Sequence, residues 1–131
     1  NQTIINYMGF RIFPQICYDL RFPVWSRNVG LKYDLIIYMA NWPRSRANVI
    51  EPLVRARAIE NLSYTIFVNR VGNDPLNFYE GSSLIVNYKG EIINTLGANE
   101  QLSVVYLNLE EQYDFRNNFN VWLDSDKFII E

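Results

Sequence analysis

The sequence predicts an α/β protein, a mixed sheet with flanking helices, and three observations carry that expectation. The first half alternates strand-like and helix-like segments. Residues 34–40, DLIIYMA, form a nearly unbroken apolar run, as in a parallel strand buried on both faces. From residue 82 onward, short β-rich segments separated by a Lys-Gly pair suit antiparallel pairing.

Taken in order, residues 10–17, FRIFPQIC, read as a strand, with Pro14 marking an edge or a bulge. The chain then turns, and Pro23 suits the first turn of a helix reaching about Asn28, with Gly30 at its end. After the strand at 34–40, NWPRSR at 41–46 is a loop. Residues 47–62 predict a helix with Ile50, Leu53, Val54 and Ala58 on its apolar face, and Arg55, Arg57 and Glu60 at polar positions. Pro52 either kinks that helix or marks a restart within its first turn. Residues 63–70 predict a strand, and 71–81 a loop by their Gly, Asn, Asp and Pro content. A hairpin of 82–88 and 91–96 follows, then a strand at 103–109, then a short helix at 110–119 with acidic residues in its first turn. An aromatic-bearing tail starts at Asn120. The order is β-α-β-α-β-β-β-β-α.

The 131 residues fit one segment without repeats or a linker, and 49% hydrophobic with 20% charged residues is a globular composition. The net charge is −2 and no Lys/Arg stripe forms, so no nucleic-acid partner is expected. No apolar run reaches the length of a membrane span, and no signal-peptide pattern opens the chain. A single cysteine, Cys17, cannot form an internal disulfide, which suits the cytoplasm. The absence of histidine removes Ser-His-Asp and Cys-His chemistry within the chain and makes a zinc site very improbable; no cofactor or metal is expected.

Cys17 ends an apolar strand just before a turn and a helix, where open α/β sheets place ligand sites. The arrangement resembles a nucleophile elbow, and the N–H of the next residue, Tyr18, could face a developing oxyanion. Taken singly, each residue has a plainer reading. Cys17 reads as a small buried hydrophobe. Asp19 and Arg21 read as a turn-stabilising pair, Asn41 and Trp42 as loop cap and core, and Arg57, Glu60 and Arg70 as a salt network.

The joint arrangement says more. The run ICYDLRFPVWSRN resembles the cysteine motif of the nitrilase superfamily, the carbon–nitrogen hydrolases. YMANWP, RARAIEN, and NRVG followed by YEGSSLIVNYKGEII resemble its later blocks, in the same order and across nearly the whole chain. CYDLRFP, ANWP and RAIEN look like the corresponding segments of bacterial omega-amidases. The resemblance implies the C-terminal half of an αββα sandwich and a Glu-Lys-Cys triad. It assigns the nucleophile to Cys17 and an oxyanion N–H to Tyr18. Asn41 and Trp42 would be pocket walls. Asp19 and Arg21 would hold the turn, and Arg57, Glu60 and Asn69 would support the site or lie near a dimer interface. Of Arg44 and Arg46, which flank the pocket loop, one would meet a substrate carboxylate.

The activity so implied is hydrolysis of the terminal amide of a small omega-amide, of the 2-oxoglutaramate or succinamate kind, through a Cys thioester with release of ammonia. The family's glutamate and lysine lie upstream of its cysteine. The 16 residues before Cys17 contain neither type, and the lysines are Lys32, Lys89 and Lys127. The chain is therefore expected to be the C-terminal half of such an enzyme, inactive alone and self-associating through an uncovered sheet face. The alternatives are a catalytically dead interaction module, or a nitrilase or carbamoylase of the same superfamily.

Overall fold

The computed structural model describes residues 2–129. Strand β1 (Ile5–Tyr7) turns through Met8 and Gly9, both at positive φ, into β2 (Phe10–Ile16). A 3-10 turn, Cys17–Arg21, leads to the short helix α1 (Pro23–Ser26) and then β3 (Leu35–Ala40). A second 3-10 turn (Arg44–Val49) opens into α2 (Ile50–Asn61), followed by β4 (Tyr64–Asn69). Short strands β5 (Val71–Asn73), β6 (Phe78–Glu80), β7 (Leu84–Val86) and β8 (Ile92–Thr95) precede α3 (Leu109–Asn118) and a last 3-10 turn, Val121–Asp124.

The main sheet runs β1-β2-β3-β4-β7-β8, with β2, β3 and β4 parallel and the remaining neighbours antiparallel. This is the mixed α/β sheet that the sequence predicts. β1 pairs only with Phe10–Ile12, so at Pro14 the strand β2 has a neighbour on one side alone. A residue without an N–H is tolerated there.

One sheet face packs Phe13, Ile36, Tyr38, Phe67, Leu84 and Val86 against Ile50, Val54 and Ala58 of α2. Those three helix residues recur at four-residue spacing and so share a stripe. Burial of side chains of this size stabilises by roughly 1.5–3 kcal/mol each. The opposite face is covered where the parallel strands begin, by Tyr64, Tyr88 and Phe115 around Leu35. Where those strands end, Ile16, Met39 and Val68 lie in one cross-strand row and are 69%, 50% and 49% exposed.

Several expectations change. Helix α1 stops at Ser26 rather than Asn28 because tertiary bonds take over the backbone. The Asn28 N–H donates to Asn61 Oδ1 and its side-chain amide donates to the Tyr33 and Asn61 carbonyls. The 47–62 helix is a 3-10 turn followed by α2, and Pro52 sits in the first turn of α2 as a restart. Arg57, expected at a polar position, is 4% exposed and points inward. The loop at 71–81 contains the β5–β6 ribbon, closed by Asp74, whose carboxylate accepts the N–H groups of Leu76 and Asn77 and the Tyr79 hydroxyl. The expected strand at 103–109 makes no ladder: Asn94 of β8 reaches Ser103 through side chains alone, and Leu107 packs against the cluster around Leu35 and Tyr64. Strand β1 was not expected, being three exposed residues with no buried face to impose a pattern.

Asp34 sits at the start of β3 with its side chain fully buried, and it receives both Arg11 and Arg116 at 2.7 Å. The Arg116 guanidinium also donates to the Tyr33 and Leu62 carbonyls. Burial raises the Asp34 pKa, but hydrogen bonds from Arg11 and Arg116 outweigh it and hold the carboxyl below its ordinary value. Replacing Arg116 with Met should cost about 1–3 kcal/mol in urea unfolding, because it removes the buried one of the two guanidinium groups on Asp34 and one donor from each of two carbonyls that keep another. The pH dependence follows from the depressed folded pKa. The Asp34 contribution is whole above the unfolded value of about 3.9 and is lost as pH falls through the lower folded value. Unfolding followed below pH 4 should show that loss, and Asp34→Asn should flatten it.

Candidate active site

Cys17 follows the last residue of β2 and has φ 42°, the left-handed region. A non-glycine residue there costs of order 1–3 kcal/mol and persists only when its surroundings fix it. Three contacts do so. The Asp19 carboxylate accepts the Ile16 N–H at 2.9 Å, closing the turn across Cys17. Leu20 is fully buried in the α2-side core, against which Cys17 also packs. From below, Arg57 donates to the Leu20 carbonyl at 2.7 Å and pairs with Glu60 at 2.9 Å. Asp19, Arg57 and Glu60 thus converge on the Cys17 turn.

Tyr18 is the second residue of the 3-10 turn, where the first N–H groups have no partner within the turn. Its ring is 57% exposed and meets Phe22 edge-on. No described side chain hydrogen-bonds the Cys17 sulfur, whether Lys, Glu or any other.

The second wall comes from the loop after β3. Asn69, at the end of β4, accepts the Trp42 N–H at 2.7 Å and donates to the Trp42 carbonyl at 2.9 Å and to the Gly81 carbonyl at 2.7 Å. The Trp42 indole donates to the Arg46 carbonyl and meets Phe67 edge-on. Trp42 is 3% exposed, and the Arg21 guanidinium lies 5.0 Å above its ring. Asn41 is exposed beside it. Arg44 pairs with Glu80 at 3.2 Å and lies over Phe78, so its charge is already matched. Arg46 is exposed.

Sequence reasoning missed Ser83 and Gly81. Ser83 Oγ accepts the Asn69 N–H at 2.9 Å. Gly81 has φ 71°, and a Cβ there would stand 2.5 Å from the Gly97 carbonyl oxygen. The Gly-Ser-Ser run in YEGSSLIV was the available signal: small residues where two loops meet. An apolar groove of about 480 Å³ lies beside this seam, between β4, β7 and residues 101–107; Cys17 does not line it. Among the described residues no three of His, Cys, Asp and Glu are grouped as a metal site, and no helix is long and apolar enough to cross a membrane.

The carbon-nitrogen hydrolase profile matches residues 3–117. The chain belongs to the carbon–nitrogen hydrolase family. It is 43% identical over 129 residues to omega-amidase YafV of Escherichia coli K12, covering 97% of this chain and 50% of that protein. With the 2-oxoglutaramate amidase of Bacillus subtilis it shares 34% identity over 113 residues, 86% of this chain and 44% of that protein. Among solved structures, XC1258 from Xanthomonas campestris, a CN-hydrolase superfamily protein with an arsenic adduct in its active site, superposes with a TM-score of 0.95. It is 35% identical, and the match covers all of this chain and 52% of that one. The chain spans about half the length of the curated relatives it matches.

The Asn69 clamp has a measurable consequence. Asn69→Ala leaves the Trp42 N–H and the Gly81 carbonyl without partners, and should cost about 1–3 kcal/mol in denaturant unfolding. Tryptophan emission should shift to the red as the Trp42 loop loosens. An unchanged midpoint and spectrum would show that the loop does not depend on the clamp.

Proposed function

We propose that this chain carries the nucleophile-bearing half of a thiol-dependent amidohydrolase that cleaves the terminal amide of a small omega-amide. The observation that carries the reading is Cys17, held at positive φ by Asp19 and by the buried Arg57 in a member of the carbon–nitrogen hydrolases. The similarity to an omega-amidase and a 2-oxoglutaramate amidase supports the substrate class.

In this reading the Cys17 sulfur attacks the amide carbonyl, and the Tyr18 N–H faces the oxyanion of the tetrahedral intermediate. The C–N bond breaks, nitrogen takes a proton and leaves as ammonia, and a thioester remains on Cys17. Water then cleaves the C–S bond, giving the carboxylic acid and restoring the thiol. A general acid/base and a cation at the oxyanion belong to the Glu and Lys that the family places upstream of its cysteine. Within the described residues, Glu60 and Glu80 are engaged by arginines and do not serve. Trp42 and Asn41 wall the pocket, while Asp19, Arg57 and Asn69 hold its parts in place. No cofactor is required, and a sole thiol that must stay reduced suits the cytoplasm.

The bare row of Ile16, Met39 and Val68 supports a second element of the proposal: the isolated 131-residue chain self-associates, and the working protein is a homo-oligomer.

The decisive assay is ammonia release from succinamate by the intact protein beside its Cys17→Ser form. Turnover should fall by roughly a thousandfold or more in the variant. Equal turnover in the two forms removes the nucleophile role. For association, light scattering of the 131-residue chain should report species larger than a monomer, and Met39→Asp with Val68→Asp should shift them downward; a clean monomer without the changes would refute it.

A further inference from the structure

The geometry points to Arg21, seated on Trp42, as the group that binds the anionic end of the substrate. This rests on the amidase reading for the identity of the ligand, a carboxylate on a short-chain amide. Three observations carry it.

The first is a census of charge. Arg11, Arg44, Arg55, Arg57, Arg70 and Arg116 each pair with a carboxylate. Arg27 donates to the Glu60 carbonyl at 2.6 Å, and Arg46, which has no carboxylate among the described residues, is exposed to solvent. Arg21 is half-buried, yet among the described residues its guanidinium has neither a carboxylate nor a hydrogen-bond acceptor. A half-buried guanidinium that no carboxylate of its own chain engages has the chemistry to take one from a ligand.

The second is orientation. With its Cζ 5.0 Å from the Trp42 ring centroid, the guanidinium is held by cation–π attraction, and none of its N–H groups donates to an acceptor among the described residues. A carboxylate meets that fork with two parallel bonds. The platform is itself fixed, since Asn69 grips Trp42 through both its N–H and its carbonyl.

The third is placement. Cys17 and Arg21 are the two ends of one 3-10 turn, and Cys17 packs against the same apolar cluster that contains Trp42. A short bifunctional molecule can therefore present its amide carbon to the sulfur and its carboxylate to the guanidinium. Of the two arginines that flank the pocket loop, Arg44 is held by Glu80 and Arg46 is exposed.

Alkylation of Cys17 tests the assignment without requiring turnover. Iodoacetate and iodoacetamide carry the same leaving group and differ by a carboxylate against a neutral amide. Their rates at Cys17 in the intact protein, read by peptide mass spectrometry, give a ratio to set beside that of N-acetylcysteine. The ratio at Cys17 should exceed the free-thiol value by about tenfold, the size of one charge-assisted contact. Arg21→Gln should bring it to the free-thiol value, Arg21→Lys should keep part of the excess, and Arg55→Gln, removing a distant charge, should leave it intact.

A ratio equal to that of the free thiol in the unaltered protein overturns the assignment, with no variant needed. So does an excess that survives Arg21→Gln, or one lost equally in Arg44→Gln. The two readings fail separately. Ammonia release with no anion preference sinks the Arg21 role alone. An anion preference with no amide turned over sinks the amidase reading and leaves the anion site standing.

Discussion

The buried carboxylate of Asp34 is the contact on which the register of the sheet depends. Its side chain receives Arg11 from β2 and Arg116 from α3. Its backbone carbonyl accepts the Tyr64 N–H at the start of β4 and the Gln112 amide of α3. Three strands and a helix thus meet at one residue. Fixing the beginnings of parallel strands fixes their ends. Ile16, Met39 and Val68 fall in one row, and the next residues along, Cys17, Ala40 and Asn69, reach the same edge together. The ion cluster lies at the opposite end of the strands from the cysteine and sets where it stands.

At that edge the structure holds a locally unfavourable conformation with polar contacts drawn from several elements. The left-handed Cys17 costs of order 1–3 kcal/mol, while Asp19 and Arg57 each contribute a charge-assisted bond to the backbone around it. Asn69 does the same for the Trp42 loop, and Ser83 fixes Asn69 in turn. The two walls of the site therefore rest on different helices and strands. Burial of Arg57 at 4% exposure joins them, because α2 also forms the main core contact with the sheet. Loss of packing under α2 would reach the cysteine turn through Arg57.

Much of this was legible in the sequence, and the failures share a cause. The apolar run of β3, the stripe Ile50, Val54 and Ala58, and the acidic start of α3 each carry their period in a handful of neighbouring residues. The first 3-10 turn, Cys17–Arg21, was foreseen as a turn because Pro23 and Asp19 mark it locally. What misled were features settled by distant partners. Arg57 reads as a solvated charge until the Leu20 carbonyl is placed 37 positions away in sequence to receive it. Residues 103–109 have the alternation of a strand, but the segment contributes Leu107 to a distant apolar cluster and meets β8 only through the Asn94–Ser103 side-chain bond, so its alternation ends in no ladder. The β5–β6 ribbon is held by one aspartate rather than by a hydrophobic face, so no periodicity announces it.

The bare row and the chemistry are connected. Ile16 immediately precedes Cys17, and Met39 and Val68 each precede the last residue of their strands, so an apolar surface covering the row comes up against the cysteine turn as well. Burying what remains exposed of these side chains is worth part of the roughly 1.5–3 kcal/mol that each offers in full. The same covering removes water from around Cys17, where electrostatic contacts strengthen as the surroundings dry. The carboxylates around the site are already engaged, Glu60 by Arg57, Glu80 by Arg44 and Asp19 by the Ile16 N–H. In the amidase reading proposed above, the acid/base group would arrive on the surface that covers the row. On that reading, closure of the hydrophobic face and completion of the catalytic set would be one event, reached from a cysteine turn that is already well formed and a half-buried guanidinium on Trp42 that no acceptor among the described residues engages.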